Sequence, residues 1–198
     1  MKEIKTIWFD HRTDLPKWIT SRIGQIIVEW SVLERELEEL IQMLVNTDIG
    51  FTRIMVNRLN ARNRISAAHS LIEWYVFHKR ISGSFLKEFS KIGNRIANEI
   101  QNKRDMVAHG LWSFIKGNWW VLKQRGQRPT PELRPELEKL SRAFIPQREL
   151  ITREKLDKIV QEVISGARAV QEFRERLHRV IPDEPFKYEP AKYTRRRR

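Results

Sequence analysis

The segment Lys103-Arg104-Asp105-Met106-Val107-Ala108-His109-Gly110 sets an arginine, an acid and an imidazole close together at the end of a long helical pattern. Arginine stays protonated and presents a planar fork of donors that matches phosphate oxygens. Histidine moves protons near neutral pH. RNA can be cleaved without a metal by groups of these types. A base takes the proton of the ribose 2′-hydroxyl, which attacks its own phosphorus. An acid protonates the departing 5′-oxygen, and a cation steadies the charge that builds on the phosphoryl oxygens. On an ideal helix Asp105 and His109 are i and i+4, about 40° apart, so Asp105 is expected to hydrogen-bond the imidazole and fix its tautomer. Arg104 lies about 140° round the helix from His109. Either its long side chain reaches round or a second subunit completes the site. A symmetric dimer with both motifs facing one cleft is the expected arrangement.

The elements that must hold this segment are helical. Ile19, Ile23, Ile26, Ile27, Trp30, Leu33, Leu37, Leu40, Ile41 and Leu44 recur mostly at steps of three and four, which predicts one long amphipathic helix to about Asn46. Thr13 or Asp14 is the expected cap, with Pro16 in the first turn. A short helix is expected over 49–59, a break at Asn60, and another helix through Ile65, Ala68, Leu71, Ile72, Tyr75 and Val76. Ser84 is a plausible cap for the next, whose stripe runs from Phe85 to His109. Gly110 then suits a left-handed helix end.

Beyond it the texture changes. Leu111 to Ile115 and Trp119 to Leu122 flank Lys116-Gly117-Asn118, the pattern of a β-hairpin. Residues 125–136 carry three prolines and read as a loop. Arg142 to Leu150 reads as a short edge strand, and Thr152 as the cap of a last helix to Val180. The expected fold is therefore mainly α: a bundle of four to five helices with a small hairpin before the last. Residues 1–181 read as one domain, and 182–198 as a disordered basic tail.

Charge narrows the partner. The 198 residues carry 38 basic and 25 acidic side chains, a net of +13. Residues 187–198 account for +5 of this, which leaves the body at +8. A strongly basic chain is expected to meet a polyanion. The chain has no cysteine, which excludes a disulfide framework and any thiolate metal site. His11, His69, His78 and His178 form no His-Glu-x-x-His pattern, so neither metal nor cofactor is expected. No apolar run approaches the length of a membrane span, and no signal peptide is expected, so the expectation is a cytoplasmic protein with no membrane partner.

Arg104-Asp105-Met106-Val107-Ala108-His109 resembles the Arg, polar residue, three variable residues, His motif of HEPN domains. Val28-Glu29-Trp30, Leu33-Glu34, Leu71-Ile72-Glu73-Trp74 and Ala108-His109-Gly110-Leu111-Trp112 resemble a bacterial branch of such helical proteins, over roughly residues 15–180. The resemblance implies a metal-independent endoribonuclease, dimeric, of the toxin or phage-defence type. Arg104 and His109 would carry catalysis and Asp105 would support them. An antitoxin or other regulatory protein would be a further partner. The chain departs from the pattern at Leu111, where toxins silenced by nucleotidyltransferases often carry tyrosine.

Candidate RNA contacts are Lys103, Trp112, Arg195, Arg196, Arg197 and Arg198. Each candidate has a plainer reading. His109 suits a helix end through the macrodipole, Arg104 and Asp105 suit a solvated pair, and Trp112 suits the core beneath a hairpin. The rival functions are a non-catalytic RNA-binding or scaffold module and a partner-binding immunity component.

Overall fold

The apolar stripe of the first helix organises everything that packs on it. In the computed structural model, which describes residues 7–9, 15–46, 49–115, 117–122 and 148–181, α1 spans Lys17–Val45. It buries Ile19, Ile23, Ile26, Trp30, Leu33, Leu37, Leu40, Ile41 and Leu44 on one face. Pro16 is not in the first turn but is itself the N-cap, and its carbonyl accepts from the N–H groups of Ile19 and Thr20. Thr13 and Asp14 lie outside the described residues.

Four further helical rods follow: α2 (Ile49–Val56), α3 (Ala61–Phe77), a continuous helix over 83–109, and α6 (Arg153–His178). The continuous rod consists of α4 (Gly83–Arg95), a π-turn (Ile96–Ile100) and α5 (Gln101–His109). Asn60 breaks the chain and also caps α3, its side chain accepting from Asn63 N–H at 2.9 Å. Ser82, rather than Ser84, caps α4 by accepting from Ser84 N–H. Thr152 caps α6, accepting from Lys155 N–H at 3.2 Å.

Inter-helix contacts give the directions. Arg22 meets Asp157 near the starts of α1 and α6, and Arg174 meets Glu36 further along both, so the two helices run parallel. Arg64 donates to Glu34 O and Tyr75 to Leu44 O, which makes α3 parallel to α1 as well. Arg62 donates to Ala97 O and His69 is bonded to Ser90, so the α4–α5 rod runs the opposite way. Hence α1 and α6 begin at the end of the bundle where α5 finishes.

A sheet closes that end. The expected hairpin is present as β2 (Leu111–Ile115) and β3 (Asn118–Leu122), but it is the middle of a four-stranded antiparallel sheet in the order β1-β2-β3-β4. The outer strands are β1 (Ile7–Phe9), aligned with Phe114 to Trp112, and β4 (Arg148–Ile151), aligned with Leu122 to Trp119. Trp112, Val121 and Ile151 lie on one face and are buried in the common core. The proline loop over 125–136 and the tail over 182–198 lie outside the described residues. Among those described, no helix is long and apolar enough to cross a membrane.

Two features set the spacing between helices. A Cβ on Gly166 would lie 2.9 Å from Ile100 Cδ1 and 3.0 Å from Leu33 Cδ1, so this glycine sits at a close approach of α6, the π-turn and α1. Further along, Arg174 grips both Glu36, at 2.9 Å, and Glu39. Burial pushes the Glu36 carboxyl above the usual carboxylate range, although Arg174 pulls the other way.

Two outcomes follow from these contacts. Gly166→Val forces branched carbon into a filled crossing and is expected to cost about 1–3 kcal/mol, read from the denaturant midpoint. Glu36 holds its proton more tightly folded than unfolded. Its contribution to stability is therefore present when the group is protonated and is lost as pH rises from the ordinary carboxylate pKa through the raised folded value. The Tm of Glu36→Gln, relative to the parent, is accordingly expected to rise with pH from about 4 upward, by thermal melts across that range.

Candidate active site

Arg104 begins on the wrong side of its helix for a solvent-facing charge. Ile100, Arg104 and Val107 fall at i, i+4 and i+7, and both apolar residues are fully buried. The aliphatic stem of Arg104 thus starts among the core and its head must find a way out. It does so across α1. The guanidinium carbon sits 5.6 Å from the centroid of the Trp30 ring, within cation–π range, and Trp30 is itself buried. From there Nη1 reaches both Asp105 Oδ1, at 2.9 Å, and His109 Nε2, at 3.0 Å.

This arrangement decides between two alternatives for Arg104 and corrects one expectation for Asp105. Helix angle alone would splay Arg104 from His109, yet the length of the side chain closes the gap within one chain. Asp105 was expected to hold the imidazole, but its carboxylate accepts from Arg104, and among the described residues no hydrogen bond joins it to His109. Arginine has no acceptor, so Nη1 donates to both partners. Nε2 of His109 therefore accepts, and the ring proton belongs on Nδ1. His109 is exposed, and the Asp105 side chain is 43% exposed. The cluster lies open at the surface, with only the arginine rooted in the core.

Polar groups around the cluster are incompletely satisfied. Arg104 Nε and Gln101 Oε1, one turn apart on α5, are buried without a hydrogen-bond partner. Among the described residues Trp120 Nε1 and Arg174 Nε are in the same position, so the feature is not peculiar to this stretch. Immediately upstream lies the π-turn. Its Ala97 and Asn98 carbonyls accept from the side chains of Arg62 and Asn102. Such turns occur frequently beside functional sites.

The other candidates are placed differently. Lys103 is engaged by Glu162 on α6 at 2.6 Å, so its charge is matched within the bundle. Trp112 is 5% exposed and its indole N–H donates to Val107 O, so it cannot stack on a base and instead locks β2 against α5. Gly110 ends α5 in an extended conformation, φ −67° and ψ 156°, rather than a left-handed one, which lets the chain pass directly into β2. Arg195, Arg196, Arg197 and Arg198 lie outside the described residues. Trp30 and the π-turn are the additions. Trp30 reads in sequence as one more member of the α1 stripe, and only its position opposite Arg104 gives it a second use. Among the described residues, no three His, Cys, Asp or Glu side chains come together to hold a metal.

No family model, curated protein or solved structure matches this chain.

The hydrogen-bond pattern makes a spectroscopic prediction. Imidazole nitrogen NMR is expected to find the neutral ring of His109 protonated on Nδ1, with that bias unchanged in Asp105→Asn and relieved in Arg104→Ala. A parent ring protonated on Nε2 would show that the contact is not kept in solution.

Proposed function

We propose that the chain is a metal-independent endoribonuclease whose site is built on Arg104 and His109. The observation that carries this reading is the convergence of a core-rooted arginine on an exposed imidazole at 3.0 Å. In the resting arrangement Nη1 covers the lone pair of Nε2. A phosphate oxygen is a stronger acceptor than imidazole, so a bound phosphodiester draws the guanidinium fork to itself. That transfer uncovers Nε2 as a base beside the 2′-hydroxyl, while Arg104 meets the charge developing on the phosphoryl group. Asp105 keeps the fork oriented.

Attack and departure occur in line, on opposite sides of phosphorus, so one imidazole cannot serve both. The second proton-transfer group is His109 of a second copy, which acts as the imidazolium and gives its proton to the departing 5′-oxygen while the first ring keeps the proton of the 2′-hydroxyl, and this is the reason to propose a homodimer. Helix angle no longer supplies one, because Arg104 and His109 already meet within one chain. The chain's +13 charge favours an RNA partner. The toxin or phage-defence role and a restraining protein partner rest on the HEPN resemblance.

A second reading has its own support. The stem of Arg104 on Trp30 and its bonds to Asp105 and His109 also suit a structural clamp at a helix end, in a module that binds RNA without cutting it. Incubation of labelled RNA with excess chelator separates the two. The parent is expected to cleave and to leave a cyclic phosphate. His109→Ala is expected to lose at least about 10²-fold of the rate with an unchanged Tm, because the residue is exposed. Arg104→Lys, which keeps charge but loses the fork, is expected to fall similarly. Intact RNA at high parent concentration supports the clamp. Full activity in both variants overturns the mechanism.

A further inference from the structure

The far end of α3 carries a cluster that the site above does not use. Arg80 lies over Trp74, 5.8 Å from the ring centroid. The other contacts of Trp74 include the His78 ring, at 4.1 Å between centroids, and His78 in turn meets Phe77 edge to face at 5.2 Å. Guanidinium, indole, imidazole and phenyl thus form one contiguous series. Phe77 at its end is 79% exposed, the most exposed large apolar side chain among the described residues. The backbone beneath is locked. Lys79 N–H donates to Val76 O and Arg80 N–H to Tyr75 O, with Lys79 left-handed at φ 55°. Glycine is the usual residue at such a turn, and the lysine there accepts a steric cost.

We propose that this end of α3 is a base-stacking platform for a single-stranded stretch of nucleic acid. An exposed ring offers a base a π-surface, and stacking tolerates any base. His78, Lys79 and Arg80 are all exposed around it, so the phosphates on either side of a stacked base meet donors and positive charge. Glu73, one turn earlier, is the acid nearest in sequence on the same helix. An apolar protein partner would call for neighbouring apolar surface, whereas the residues following Phe77 are a histidine, a lysine and an arginine. α3 is antiparallel to the α4–α5 rod and begins beside the π-turn, so the platform sits about 24 Å from that turn along a helix of 17 residues. It is a second contact region, and it stands whether or not the strand is cut.

Binding of the His109→Ala protein to a labelled oligoadenylate of about eight nucleotides, compared with an abasic oligomer of equal length, tests it. Phe77→Ala is expected to weaken oligoadenylate binding about tenfold and to leave abasic binding unchanged, while Phe77→Trp retains full affinity. The exposure of Phe77 makes loss of fold a poor explanation, and an unchanged melting curve verifies this. Equal affinity of Phe77→Ala and the parent protein overturns the proposal. So does an equal loss on both oligomers, or no binding at all. A chain that binds through Phe77 yet leaves RNA intact keeps the platform and loses only the ribonuclease reading.

Discussion

The close crossing at Gly166 is the constraint on which the rest of the structure depends. A side chain there would collide with Leu33 and Ile100, so the glycine lets α6 press α1 and the π-turn together. Leu33 is one turn from Trp30, and Ile100 one turn from Arg104. The same contact that closes the core therefore sets the indole beneath the guanidinium. The head of Arg104 emerges where Asp105 and His109 stand. The placement of the cluster is in this sense a by-product of backbone proximity at Gly166.

Electrostatics follow the same economy. Several acids are used between helices: Asp157 with Arg22, Glu162 with Lys103, Glu36 and Glu39 with Arg174, and Glu88 with Arg176. α6 takes part in every one of these pairs. A chain with 13 more basic than acidic residues thus spends carboxylates on joining its helices, and the surplus of positive charge is left for solvent or for a partner. Surface pairs of this kind contribute little energy each. Their effect here is to fix how α6 lies against its neighbours and to leave other cations uncompensated.

Much of the fold was legible because long helices write their burial at steps of three and four. The α1 stripe from Ile19 to Leu44 and the α6 stripe from Leu156 to Leu177 are largely buried as the periodicity implies, with Ile27 and Ile164 only partly so and Val180 exposed past the helix end. The hairpin was legible from its aromatic and β-branched runs. β1 was not, since Ile7-Trp8-Phe9 is three residues long and finds its partner only after a hundred intervening residues. The π-turn was hidden because Ile96 and Ile100 keep the spacing of an ordinary helix. At the site, the residues were legible and their connections were not. A helical wheel counts the angle from Arg104 to His109 but ignores the reach of an arginine, and it pairs Asp105 with His109 although a guanidinium lies nearer.

The place of Gly166 in the chain has a temporal meaning. Synthesis delivers α1, the α4–α5 rod and the hairpin first, and α6 last. Until α6 emerges, the close approach of Gly166 to Leu33 and Ile100 is missing. Trp30 and Arg104 then have only the weak tether of a basic side chain on an exposed aromatic. A nascent chain consequently carries every residue of the cluster long before it holds them in register, and assembly waits for its final helix.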